Sequence, residues 1–184
     1  NVNGKITVRK YSSIGWVDVG TPGFSAGIIN STSIAIAASG EPYVAYGDRS
    51  LGGKAVVKKY NGTSWVDVGT TGFSAGQVSN MTLAMQGNTP FVVYTDNANG
   101  NKATVMKFDG SSWVVIGSAG FTSTVAVNPQ AVVSSTGFLY IAYNDGTAAN
   151  VNVMKYSASS WTNVGAFTSL TSASSNVAIT LLAD

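Results

Sequence analysis

The four tryptophans of this 184-residue chain recur at a nearly constant interval, and that interval restricts the possible folds more than any other feature. They stand 49, 48 and 48 residues apart. An aromatic residue precedes each tryptophan by five positions, a lysine precedes that aromatic, and a glycine follows the tryptophan by four. The tryptophans are Trp16, Trp65, Trp113 and Trp161. Such coincident series indicate tandem copies of one unit that buries its apolar surface against its neighbours.

One complete unit contains four short runs that are typical of β-strands. The runs are A, Ser33–Ala38; B, Tyr43–Tyr46; C, Lys54–Tyr60; and D, Trp65–Val68. The dipeptide between C and D, Asn61-Gly62, favours a tight hairpin because both residues tolerate a positive φ. Four short antiparallel strands in about 40–50 residues predict one blade of a β-propeller. A β-solenoid is the alternative fold, but its coils are usually shorter.

We therefore predict an all-β fold in which residues 1–184 form a single β-propeller or propeller fragment. It has about four blades of 48–49 residues, one of them split between the termini and lacking strand B. The predicted units are 1–32 (strands C and D), 33–80, 81–128, 129–175 and 176–184 (strand A). The incomplete blade leaves strand edges that recruit another chain. A homo-oligomer completing the ring, or a longer array of the same units, is an alternative to closure within one chain.

The composition excludes several functional classes. Only 10% of the residues are charged and the net charge is +2, so a nucleic acid partner is not expected. The sequence has no cysteine and no histidine, which removes disulfides, thiol nucleophiles and the commonest general base. No apolar run reaches the about 18 residues that a membrane span requires. Abundant Ser, Thr, Asn and Gly favour an extracellular or cell-surface location.

The unit also resembles known repeats. The segment Gly40–Asp48, followed by Lys54–Gly69, is similar to the tandem propeller repeats of bacterial secreted and cell-surface proteins. The run Tyr43–Tyr46 (YVAY) resembles, more distantly, the second strand of the NHL and YVTN propeller repeats. The resemblance covers essentially the whole chain, and it implies a propeller in an extracellular setting without naming a ligand.

Three aspartates are the candidate ligand-binding residues. They end strand B in successive units, two residues after a tyrosine of the series Tyr46, Tyr94 and Tyr143. The aspartates are Asp48, Asp96 and Asp145. A ring of carboxylates on one face would bind cations or sugar hydroxyls. The alternative is structural, because aspartate side chains commonly accept bonds from the backbone of a following turn, and recurrence in every unit favours it.

The tryptophans allow two interpretations as well. A flat indole suits stacking on a sugar ring, whereas packing between blades, with the indole N–H bonded to the backbone, is the structural role we predict. The phenylalanines Phe24, Phe73 and Phe121, each four residues after a glycine, are better candidates for exposure.

From these patterns we predict a non-catalytic extracellular binding or adhesion module, with a glycan or another protein as its partner. Near-identical blades provide several equivalent sites, which favours carbohydrate binding through avidity. The alternative is a structural, self-assembling propeller fragment. An enzyme is disfavoured because no histidine, cysteine or phosphate-cradling loop is present, and no catalytic residue, metal site or cofactor is predicted.

Overall fold

The computed structural model describes residues 3–146, 150–168 and 176–181. Fourteen strands form four antiparallel sheets, one with two strands and three with four. The strands are β1 Arg9–Ser12, β2 Gly15–Asp18, β3 Ile29–Ile36, β4 Pro42–Asp48, β5 Lys54–Tyr60, β6 Trp65–Asp67, β7 Val78–Gln86, β8 Thr89–Asp96, β9 Lys102–Phe108, β10 Trp113–Val115, β11 Ala126–Val133, β12 Leu139–Asp145, β13 Asn150–Ser157 and β14 Ser160–Thr168. Two short 3-10 turns, Arg49–Leu51 and Asn97–Asn99, follow β4 and β8.

The sheets correspond to the repeated units. Strands β3–β6 form blade I, β7–β10 form blade II and β11–β14 form blade III, while β1 and β2 form a half-blade. Within each blade the strands run in the order A, B, C, D, each hydrogen-bonded to the next along the chain. The predicted all-β fold of four-stranded antiparallel units is thus confirmed.

Strand A differs most from its predicted position. It begins at Ile29, Val78 and Ala126, three or four residues ahead of the predicted unit boundaries at 33, 81 and 129. In each blade a β-bulge interrupts its pairing with strand B. Asn80 and Asn128 sit in these bulges with φ of 48°, a conformation that asparagine tolerates. Because each bulge contains an asparagine (Asn30, Asn80 or Asn128), the apolar alternation is interrupted there.

The A strands of neighbouring blades meet, which places them at the inner edge of the blade stack. Ser31 Oγ and Ser33 Oγ in blade I accept bonds from the backbone N–H groups of Met81 (2.8 Å) and Leu83 (3.0 Å) in blade II. Thr82 Oγ1 repeats the contact by donating to a carbonyl of blade III, 2.9 Å away. These hydroxyls satisfy strand-edge groups that would otherwise be buried without a partner.

The apolar core is divided into layers between blades. Blade I contributes Ala45, Ala55 and Val57 from one face, and they pack against Val92 and Tyr94 of blade II. The opposite face of blade II packs on blade III in the same way. The half-blade covers the remaining face of blade I only in part. Blade II, which has a complete blade on each side, is therefore buried on both faces, whereas blade I is fully covered on one face only.

Residues 176–181 carry no strand in the structure, and 182–184 lie outside the described residues. The role of 176–184 as a strand A therefore stays a prediction. Within the described part of the chain, neither 3-10 turn nor any other helix is long and apolar enough to cross a membrane.

Candidate functional site

The tryptophan series packs between successive units. Trp113 stacks on Phe73, with ring centroids 4.4 Å apart and planes inclined by 9°, and its Nε1 donates to the Val68 carbonyl at 2.8 Å. Trp65 and Trp161 repeat both contacts, stacking on Phe24 and Phe121. Each phenylalanine belongs to the preceding unit. One face of each of these three indoles is covered by a phenylalanine, and because Trp65 and Trp113 are also only 9% exposed, those two are not arranged for stacking on a sugar.

Trp16 occupies the same repeat position but lies in solvent. Its side chain is 67% exposed, and its one aromatic contact is edge-on to Tyr11 at 5.7 Å. Trp16 comes before Phe24, the first phenylalanine of the series, whereas each of the other three tryptophans comes after the phenylalanine on which it stacks. The half-blade thus retains the tryptophan of the repeat but not its stacking on a phenylalanine.

Two of the three candidate aspartates are buried and fully engaged. Asp48 Oδ1 accepts from the backbone N–H and hydroxyl of Ser50 (2.9 and 2.6 Å), and Oδ2 accepts from Gly27 N (3.2 Å). Asp96 accepts from Ala98 N (3.1 Å), Asn99 Nδ2 (2.8 Å) and Thr104 Oγ1 (2.7 Å). Both carboxylates cap the 3-10 turn that follows strand B. Their geometry therefore supports the structural alternative.

The third candidate, Asp145, ends β12 opposite Ala126 and is partly buried. The three aspartates lie on three separate blades. Among the described residues, no group of three acidic, histidine or cysteine side chains is placed to hold a metal ion. A shared carboxylate site does not form.

The tyrosine series belongs to the core. Burial, and then the neighbouring Asp96 carboxylate, raises the pKa of the Tyr94 phenol, and Tyr46 is shifted in the same direction by burial and Asp48. The phenols thus stay protonated, and Tyr94 Oη donates to the Met106 sulfur at 3.3 Å.

A polar cleft lies between blades I and II, at the edge that carries the A–B and C–D turns. Its volume is about 390 Å³, within the range of small-molecule sites. The polar and aromatic residues that line it are Tyr43, Lys59, Asp67, Asn88, Lys107 and Asp109. We refer to it as the I–II cleft. Because Tyr43 is only 5% exposed, the charged and amide groups provide most of the chemistry of the cleft, and such donors and acceptors suit a polyhydroxylated ligand.

Ion pairs fix some of these groups and leave others available. Asp67 pairs with Lys58 at 2.6 Å, and Lys59 pairs with Glu41 at 3.5 Å. Lys107 forms no ion pair with the described residues, and its ammonium lies 5.8 Å from the centroid of the Phe91 ring. Lys107 is therefore the cation of the cleft best able to donate to a ligand.

Asp109 is an ionised acceptor held by its own turn. Its Oδ1 accepts from the backbone N–H groups of Ser111 (2.9 Å) and Ser112 (2.8 Å). These bonds lower the pKa of the Asp109 carboxyl to about 2. Asn61 forms the equivalent turn in blade I, accepting from Thr63 N and Ser64 N. An uncharged amide thus serves the same structural purpose.

This equivalence leads to a pH prediction. The pKa of folded Asp109 lies below its ordinary value of 3.8, so its stabilising contribution is complete above about pH 4 and is lost as the pH falls toward 2. The Asp109→Asn variant keeps the acceptor but not the titration. We expect its melting temperature to fall less than that of the wild type between about pH 4 and 2. Parallel melting curves for the two proteins would contradict this assignment.

The equivalent cleft between blades II and III has lost these acids. Strand pairing places Val115 where blade I has Asp67, and Ser157 stands where blade II has Asp109. Lys155 is drawn over the ring of Phe138, 3.6 Å from its centroid. The I–II cleft thus differs from the II–III cleft in having the carboxylates of Asp67 and Asp109.

Sequence reasoning did not select this cleft. It concentrated on residues that repeat in every unit. The available signal was the opposite one, namely polar residues such as Asn88 and Asp109 that interrupt the repeat.

Comparison with known proteins identifies solved structures that share this fold. No protein-family model matches the chain, and no curated protein matches it by sequence. A mutant Aleuria aurantia lectin in complex with alpha-methyl-L-fucoside is similar in structure, with a TM-score of 0.68 and 19% identity over 93% of this chain and 58% of that chain. A further structure of that lectin, described as a six-bladed β-propeller with a novel mode of fucose recognition, has a TM-score of 0.67.

Two other structures extend the comparison. A fucose lectin from Kordia zhangzhouensis in complex with methyl-fucoside has a TM-score of 0.54 and 13% identity, covering 76% of this chain and all of that chain. The Hadza microbial sialidase Hz136 has a TM-score of 0.55 and 13% identity, covering 85% of this chain and 34% of that chain. The chain spans less than two thirds of the Aleuria lectin. These likenesses confirm the β-propeller fold: the described residues contain three complete blades and one half-blade.

Proposed function

We propose that the protein is a non-catalytic carbohydrate-binding module and that the I–II cleft holds the sugar. The observation that carries the proposal is the convergence of Lys107, Asp67 and Asn88 in one open cleft. Its support from known proteins is that several similar structures are fucose lectins. Low charge and abundant Ser, Thr, Asn and Gly agree with the secreted or cell-surface setting that we include in the proposal.

The carboxylates of the cleft favour binding over hydrolysis. A glycosidase of the usual kind needs one protonated carboxylic acid beside an ionised partner. Asp109, with a pKa of about 2, is ionised at neutral pH, and Asp67 is ion-paired with Lys58. Both side chains therefore act as acceptors for sugar hydroxyls, and neither is arranged as a general acid.

A glycan array followed by calorimetry tests this function, with simple fucosides as the first ligands. We expect the Lys107→Ala variant to bind about tenfold more weakly, because it loses one charge-assisted hydrogen bond. Lys102→Ala is the matched control, since Lys102 begins the same strand at its opposite end. Absence of binding across a broad array, or equal losses in the two variants, would refute the proposal.

Assembly is the second candidate function, favoured by one observation. The inner strand of blade I exposes Ile34 and Ile36 on the side of the half-blade. In this role another polypeptide segment completes the ring.

A further inference from the structure

Blade I has one face that is only half covered. Ile34 and Ile36 of β3 are 53% and 60% exposed. Leu83 occupies the position of Ile34 in blade II, since Leu83 pairs with Val92 as Ile34 pairs with Val44, yet it is only 5% exposed. The same repeat position is thus buried in one blade and left in solvent in another.

The internal interface shows what covers this position. Leu83 belongs to the layer that contains Ala37, Tyr43 and Ala45, which come from strands A and B of the preceding blade. Its backbone N–H donates to Ser33 Oγ of that strand A. The chemical complement of the Ile34 face is therefore an A–B strand pair of the same repeat.

A groove beside Ile34 has the matching position. It lies between residues 5–9 of the half-blade and blade I, and its volume is about 410 Å³. Ile6, Val8 and Val44 provide apolar walls. Strand C of blade I, β5, pairs with both its B and D strands, whereas β1 pairs only with β2 among the described residues. The groove thus offers an open strand edge beside an apolar surface, which suits strand addition.

We propose that this groove binds the A–B hairpin of a further unit of the same repeat, which would convert the half-blade into a complete blade. The proposal deepens the assembly role proposed above and is independent of the sugar-binding cleft. The added strand B pairs along β1, and the added strand A covers Ile34 and Ile36.

A second copy of this chain does not supply the missing pair. Strands β4, β8 and β12 are each paired on both sides within their own blades. Residues 176–184 would provide a strand A, but no unpaired strand B is found in the described structure. The Aleuria aurantia lectin has six blades, and this chain covers 58% of its length, so that propeller contains more blades than the described residues form. The occupant is therefore an additional repeat unit.

Strand complementation with a synthetic peptide tests the proposal. The peptide of residues 29–48 contains the A–B hairpin of blade I, and the peptide of residues 54–68 contains strands C and D as a matched control. In calorimetry and thermal melting without sugar, we expect the A–B peptide to bind in a 1:1 ratio and raise the melting temperature. The C–D peptide should do neither, because it lacks the strands that the groove accepts.

Two variants locate the binding surface. Ile34→Lys should weaken peptide binding about tenfold or more, because it removes an isoleucine side chain that the bound peptide would bury. Val164→Lys is the control, since Val164 is an exposed residue of blade III. Because both side chains are exposed, neither substitution should disturb folding.

A fusion protein provides the same test if the free peptide aggregates. A copy of residues 29–53 placed directly before Lys5 keeps the native connection between strands B and C, and it should raise the melting temperature. The proposal is overturned if neither peptide nor fusion stabilises the protein, or if Ile34→Lys leaves binding unchanged. It is also overturned if light scattering shows a dimer without peptide that Ile34→Lys dissociates, since a second copy would then occupy the groove. None of these results depends on whether a sugar binds.

Discussion

We expect the Trp113→Ala variant to lose about 3–5 kcal/mol of unfolding free energy, the range for removing a buried aromatic side chain from a core. The substitution removes the stack on Phe73 and the hydrogen bond to Val68, both of which join blade II to blade I. It also leaves the Val68 carbonyl without its indole donor, which adds a desolvation cost. Urea denaturation followed by circular dichroism measures the loss.

Trp16→Ala is the internal control, because the residue and its place in the repeat are the same while the surroundings differ. Trp16 is 67% exposed, so its loss should cost no more than about 1 kcal/mol. Equal losses in the two variants would show that the inter-blade contact does not determine the stability contributed by Trp113. A large loss in Trp16→Ala alone would indicate that the half-blade is covered in solution.

The repeated elements could be predicted because each is specified by local residues. Strand C of blade I was predicted at Lys54–Tyr60 and is observed there, since Gly53 and Asn61 bound a short run with the apolar centre Ala-Val-Val. Strand A could not be delimited in this way. Its first residues form a bulge whose polar side chains bond to the neighbouring blade, and single-strand periodicity carries no information about that neighbour.

The I–II cleft was not predictable by the same reasoning. Its lining comes from two blades, because Asp67 belongs to blade I and Asn88 belongs to blade II. A repeat search gives most weight to positions that recur in every unit, whereas Asn88 does not recur and Asp67 recurs only as Asp18. Buried recurring residues such as Trp65 and Asp96 maintain the blades, whereas the residues that distinguish one cleft from another lie at its rim. Departures from the repeat are thus the more informative guide to binding.

The Asp96→Ala variant should lose about 3 kcal/mol of unfolding free energy. The carboxylate is buried and accepts three hydrogen bonds, from Ala98 N, Asn99 Nδ2 and Thr104 Oγ1. Removing it leaves these donors without their acceptor and uncaps the 3-10 turn, each of which costs about 1–2 kcal/mol. Thermal and urea denaturation at neutral pH measure the effect.

Two further variants separate the structural role of Asp96 from a ligand-binding role. Asp67→Ala removes an exposed carboxylate with a single ion pair, so its cost should stay within about 1 kcal/mol. Asp96→Asn keeps one oxygen acceptor and should recover part of the stability lost in Asp96→Ala. If Asp96→Ala instead unfolds like the wild type but no longer binds a sugar or a cation, the carboxylate serves a ligand. Because its oxygens are already occupied by the turn and by β9, we expect the loss to appear in stability.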